Sequence, residues 1–297
     1  MGAANPAFPR PKVDIDVRRS KITRILYRVA LYVVVIAGAI LFGLPFVWMI
    51  RTTIMPSYQV NLFPPQWIQK ELDLHFYPGL FRSGLPFARW LWNSFVLSTL
   101  TAFGAMLSSA IVAFAFARLR FRGREALFIV VLATMIMPWH VRLIPTYLLF
   151  SRLGWIGSYK PLVLPTFFAP AFSVFLLRQF FMQIPREMDD AAYIDGCSPL
   201  GLFARIHIPL SLPALGVVMI FQFNGMWNDF LGPLLYLRIK EQYPIAVGLQ
   251  FLQGQYKDAN IQMLMVGSLI SIIPPITLFF FTQRQMIQGI VITGIKG

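Results

Sequence analysis

Charge is scarce in this chain: only 13% of its 297 residues are Asp, Glu, Lys or Arg, about half the share in an ordinary soluble domain. With 57% hydrophobic residues and a mean hydropathy of +0.64, it carries more apolar surface than one soluble core of this size buries. Several membrane spans are expected instead, each needing roughly 20 mostly apolar residues. Cysteine is almost absent. The single Cys197 excludes an internal disulfide and reads as a small residue in a tight turn. No G-x-x-x-x-G-K-[ST] phosphate loop occurs, and no nucleophile–base pair or paired carboxylates stand out. The chain is therefore not expected to be an enzyme, and no catalytic residue is assigned. His207 has no His, Cys or acidic partner at ligand spacing, so no metal site is expected. Residues 1 to 24 are polar and contain Asp14 and Asp16, and the apolar run after them is too long for a signal peptide, so it reads as a retained span.

What is present is a series of long apolar runs. They lie at about 25–50, 93–117, 126–150, 162–181, 213–235 and 261–282. Pro138 and Pro145 interrupt the third, which either kinks there or reaches the far interface. The runs are twice the length of barrel strands and lack dyad alternation, so they predict helices. The expected fold is all-α integral membrane, with six transmembrane helices and both termini cytoplasmic. A polar arm (1–24) precedes the six-span body (25–282), and a tail (283–297) follows it. Trp67, Tyr77, Trp90 and Trp92, in the wet segment after the first run, suit an interfacial position.

Acid is scarcer than base: 12 Asp and Glu against 26 Lys and Arg, a formal net charge of +14. The densest basic clusters, at 18–28 and 118–124, flank spans and face inward if both termini are cytoplasmic. Such spacing argues against nucleic acid, which would call for one continuous basic patch.

The loop at about 182–212 is too polar for lipid. Pro185 suits the start of a short helix, with Glu187, Asp189 and Asp190 near its N-terminus, where acids complement the dipole. Met188, Ala191, Ala192 and Asp195 fall on one face. Gly196 permits the positive φ that ends the helix, and Ser198-Pro199 reads as cap and first residue of a second. Phe203 and Ile206 share a face of that helix, and Pro209 and Pro213 re-aim the chain.

This loop resembles the EAA signature of ABC importer permeases. Asp190-Ala191-Ala192-x-x-x-Gly196 is followed by nine residues and then Ile206-x-Ile208-Pro209, with Asp190 in place of Glu and Ile208 in place of Leu. Asn93-Ser94, Ile184-Pro-Arg-Glu187, Ile194-Asp-Gly196, Trp227-Asn-Asp-Phe230, Pro233-Leu234 and the tail from Gln283 through Gly289 and Gly294 to Gly297 are similar to the carbohydrate branch, in particular the second permease of maltose-type importers. The resemblance implies a coupling helix that docks on a separate ATPase through Glu187, Met188, Asp190, Ala191, Ala192, Asp195 and Gly196, with Ile206 and Pro209 completing the motif. It implies a tail reaching the ATPases through Gln283, Gly289, Gly294 and Gly297. It also implies a homologous second permease subunit, dimeric ATP-binding subunits that hold ATP and magnesium (no cofactor in this chain), an extracytoplasmic solute-binding protein, and a bacterial or archaeal cytoplasmic membrane. The substrate it implies is a sugar, with another solute such as glycerol phosphate as the alternative. A secondary transporter and an intramembrane enzyme are the remaining rivals.

Asn224, Trp227, Asn228 and Asp229 are candidates for the substrate pathway, since an ionisable group at membrane depth defaults to function. Interfacial anchoring is the plainer reading, as it is for His140 and Arg142. Gly104, Ala105, Ser108 and Ser109 suggest close helix packing.

Overall fold

The computed structural model describes residues 14–60, 62–68, 71–255 and 261–294, with side chains between 23 and 283 apart from Gln255. Among the described residues every regular element is helical. Four helices are long and apolar enough to cross a membrane, and two bent pairs bring the number to six if each pair is one span.

Helix α1 (Asp14–Thr53) has 40 residues, about 60 Å at 1.5 Å per residue, twice the roughly 30 Å of a hydrocarbon core. It begins inside the expected polar arm, so that arm is helical from Asp14 on. Residues 1–13 lie outside the described residues. The most apolar 18 residues of Thr23–Thr53 have none buried within the chain, whereas Arg51, Thr52 and Thr53 at its end are buried. After α1 the chain folds back: the Arg51 side chain donates to the Gln66 carbonyl and lies 4.4 Å over the Trp48 ring. Helix α2 (Phe76–Arg82) leads into α3 (Phe87–Arg118).

Helix α3 is the spine. Its residues enter all three apolar cores, through Phe87 and Trp90 at one end, Leu97 in the middle, and Ala110, Phe114 and Ala117 at the other. Trp90 is 0% exposed, so it is a core residue and not the interfacial anchor expected from the sequence. Its indole N–H donates to the Lys240 carbonyl at 2.6 Å. Asn93 donates to the Glu241 and Tyr243 carbonyls, and the Ser94 hydroxyl accepts from the Ile245 amide. The small residues do what their size permits: the Phe167 ring sits directly on Gly104.

Gly123, at φ 82, starts α4 (Arg124–Ile136), and α5 (Trp139–Arg152) follows at 98°. The break falls at Pro138. A residue before proline is driven out of the α region, and Met137 is extended. Pro145 stays inside α5, so only one of the two prolines breaks the third run.

The fourth run, expected to be continuous, is interrupted. Lys160–Val163 passes into a 3-10 turn, Leu164–Phe168, and then Ala169 at φ 54 before α6 (Ala171–Gln183). Pro165 and Pro170 cannot donate to a helix ladder. The Ser108 hydroxyl fills part of the gap: it accepts from the Ala169 amide at 3.1 Å, while its one proton is shared between the Gly104 carbonyl of its own helix at 2.7 Å and the Thr166 carbonyl at 3.1 Å.

Helix α7 (Arg186–Ile194) and the irregular run from Pro199 to Leu210 form a hairpin, and the fifth span, α8 (Leu212–Trp227), leaves it at 77°. Then come α9 (Leu231–Tyr236), α10 (Ile245–Gln255) and α11 (Ile261–Gly294). Helix α11 runs through Pro274 and Pro275 and continues unbroken past Gln283 and Gly289 to Gly294, so most of the expected tail is helix. Gly297 lies outside the described residues.

Candidate functional site

The hairpin closes one end of the bundle. Pro185 sits at the N-cap of α7, and Gly196, at φ 77, ends it, as expected. The Ser198 hydroxyl accepts from the Gly201 amide at 3.2 Å and caps the second helix. That helix slips into a π turn at Phe203–His207. Phe203 and Ile206 pack into the core together with Leu202.

Of the α7 residues singled out by the motif, Glu187, Met188, Asp190, Ala191 and Asp195 are exposed, as is Gly196. Ala192 is not. It is buried against the core beneath the hairpin, so it packs the helix down and leaves the outer face to Met188 and Ala191. Ile194 is 86% exposed and Leu200 75%, with Tyr193 also exposed. The tip is therefore apolar and ringed by acids, a feature the motif alone did not single out. Pro209 is exposed and Ile206 half-buried.

The acid that holds the hairpin is Asp189, one residue before the motif. One oxygen, Oδ1, accepts from His207 Nε2 at 2.9 Å, and Oδ2 pairs with Arg118 Nη1 at 3.3 Å. A carboxylate can only accept here, so Nε2 carries the proton. Arg118 also donates to the Phe181 carbonyl at 2.5 Å and to the Ile184 carbonyl. The Arg118 side chain is 4% exposed and that of His207 0%. The His207 ring sits among Phe114 and Phe181 at 5.0 and 5.6 Å. Burial pushes its pKa below the ordinary 6.5, opposed by the Asp189 hydrogen bond and charge. One buried polar group thus ties the last turn of α3, the end of α6 and both arms of the hairpin. Beside it Arg178 pairs with Glu125 at 3.2 Å and lies 3.9 Å over Phe128, fixing α6 to α4.

Near the other candidates the structure separates what the sequence grouped. Trp227 is buried, stacked on Phe223 at 5.6 Å and 14°, and borders an apolar cleft with Phe95 and Ile270. Asn228 donates back to the Asn224 carbonyl at 2.9 Å. Asp229 alone of the four borders a larger cleft of about 750 Å³ with mixed polar and apolar lining, together with Arg142. Its Oδ1 accepts from the Gly232 amide at 3.1 Å and caps α9. No cluster of metal-ligating side chains occurs among the described residues.

A bundle of apolar helices, two of them broken, with a capped polar hairpin locked to one end, defines a multi-pass membrane protein of the permease class. Residues 105–291 match the family described as "Binding-protein-dependent transport system inner membrane component", and the chain belongs to it. It is 34% identical over 278 residues to the arabinooligosaccharides transport system permease protein AraQ of Bacillus subtilis (strain 168), covering 92% of this chain and 97% of that one. It is 32% identical over 233 residues to the sn-glycerol-3-phosphate transport system permease protein UgpE of Escherichia coli (strain K12), covering 78% and 83%. Its fold resembles a chain of the crystal structure of a bacterial ABC transporter involved in the import of the acidic polysaccharide alginate. The TM-score is 0.74 at 21% identity, over 94% of this chain and 99% of that one.

Proposed function

We propose that the chain is one of two homologous membrane subunits of an ATP-driven sugar importer. It lies in a bacterial or archaeal cytoplasmic membrane with both termini and the hairpin on the inner side. Two separate ATP-binding subunits hold the nucleotide and magnesium, and an extracytoplasmic binding protein delivers the sugar. Two of the relatives, a permease for arabinooligosaccharides and one for glycerol 3-phosphate, favour a polyhydroxylated substrate and keep glycerol phosphate as the second reading.

The observation that carries this reading is the exposed face of α7. Met188 and Ala191 lie open between Glu187, Asp190 and Asp195 on a hairpin whose base is locked to α3. Small side chains there let a partner backbone come close, so closure of the ATPases moves the hairpin without slack. Alternating access then follows from a two-state change of the bundle. The tail from Gln283 to Gly297 is assigned to contact with the ATPases.

The test is an Ala191→Arg variant of the complete importer in proteoliposomes. The residue is exposed, so the fold tolerates the change. Loss of substrate-stimulated ATP hydrolysis and of uptake is expected. Undiminished coupling refutes the docking assignment.

A further inference from the structure

The break in the fourth span, Leu164 to Pro170, falls inside the stretch Lys160–Gln183, which as a whole is long and apolar enough to cross a membrane. Irregular backbone survives there only where it is covered by protein or lines water, because lipid offers no hydrogen-bond partner. Ser108 covers one side of the break, accepting from the Ala169 amide and lying 3.1 Å from the Thr166 carbonyl. The other side of the break, from Pro165 to Ala171, borders the 750 Å³ cleft, within the about 300–1,000 Å³ of small-molecule sites.

The cleft is mixed, with polar side chains set among apolar ones. Thr134 and Thr166 spend their hydroxyl protons on backbone carbonyls of their own turns, at 2.7 Å each, which leaves their lone pairs free to accept. Gln222 donates once, to the Ser173 hydroxyl at 3.2 Å, and keeps its amide oxygen and a second N–H. Trp139 presents part of its indole at the bend between α4 and α5, and Arg142 and Asp229 border the same space without forming an ion pair. One cation and one anion cancel at long range. What remains is a neutral set of donors and acceptors beside an aromatic face.

We propose that this cleft is a hydrated solute-contact site on the translocation path, and that it takes a neutral polyhydroxylated ring. Gln222 and the two threonines meet the hydroxyls, and Trp139 meets the apolar face of the ring. This rests on the importer reading for its substrate.

Cysteine accessibility tests both parts. The chain has one cysteine, so Cys197→Ser gives a clean background. Thr134→Cys, Thr166→Cys and Gln222→Cys are labelled in vesicles bearing the complete importer, using a charged methanethiosulfonate. Leu107→Cys and Ile111→Cys, on the outward apolar face of α3, are the controls. Labelling at the three cleft positions is expected to be at least about tenfold faster than at the controls, since a charged reagent follows water and not lipid. Equal rates overturn the proposal. A panel of neutral mono- to trisaccharides built from arabinose, xylose and glucose, at millimolar concentration, is expected to contain a member that slows labelling. Slowing by none of them, or by glycerol 3-phosphate alone, overturns the neutral substrate class. Fast, sugar-sensitive labelling in an importer that does not hydrolyse ATP would leave the site standing and refute the proposed function instead.

Discussion

Asp189 and Asp190 are adjacent acids, and the structure assigns them opposite fates. Replacing Asp189 with Asn keeps the shape but leaves one acceptor oxygen where there were two. If that oxygen stays on His207, the new amide N–H₂ faces the Arg118 guanidinium, donor against donor. A buried cation is then uncompensated. Removing one partner of a buried pair costs about 3–5 kcal/mol, roughly a hundred- to several-thousand-fold in an opening equilibrium. Arg118 keeps its bonds to the Phe181 and Ile184 carbonyls, which anchors the lower end of that range. The loss falls on the hairpin, because Asp189 lies on α7 and its partners lie on α3 and in the π turn. Amide hydrogen exchange of residues 186–195 in the purified complex is the assay. Asp189→Asn is expected to accelerate exchange there by at least about a hundredfold, while α11 is unaffected. Asp190→Asn, on a carboxylate exposed within the chain, is expected to change exchange far less. Equal exchange in the two variants would refute the claim that the buried acid holds the hairpin.

Gly104→Ala puts a methyl group against the Phe167 ring. Overpacking of this kind typically costs about 1–3 kcal/mol, expected as a lowered thermal midpoint of the detergent-solubilised complex. Trp90→Phe removes the indole donor to the Lys240 carbonyl. A cost of about 0.5–1.5 kcal/mol for the lost hydrogen bond is expected, with faster proteolysis at the 238–243 loop as the readout. His207 is held neutral by burial, its folded pKa lying below its unfolded 6.5. Its contribution to stability is therefore complete above pH 6.5 and declines as pH falls from 6.5 through the folded pKa, because the unfolded chain takes up the proton first. Thermal unfolding of wild type and His207→Gln between pH 7.5 and 5.5 checks this: the wild type is expected to lose more on acidification.

The hairpin was legible in the sequence because its instructions are local. Pro185, Gly196 and Ser198-Pro199 each act on the backbone within a turn of themselves, and each does so in the structure. The lock beneath it was not, because Arg118, Asp189 and His207 come from three separate segments and no spacing rule links them. Trp227 and Asp229 looked like one cluster, yet α8 ends at Trp227 and Asp229 lies beyond its cap, and the ring and the carboxylate border different clefts. The fourth run showed its prolines but not its break, since an apolar stretch reads the same whether helix or unwound turn. What the fold adds is the relation among these parts. The last turn of α3 holds the hairpin through Arg118, its middle carries the broken span on Gly104 and Ser108, and its first turns hold the 240–245 loop through Trp90, Asn93 and Ser94. A 32-residue helix without an internal proline has little means of bending between those points. On the proposed reading, a displacement of the hairpin reaches the cleft and the far loop along one rigid element. Coupling along such a path is an argument from contiguity. It becomes a physical one if Arg118→Met leaves ATP hydrolysis running while uptake stops.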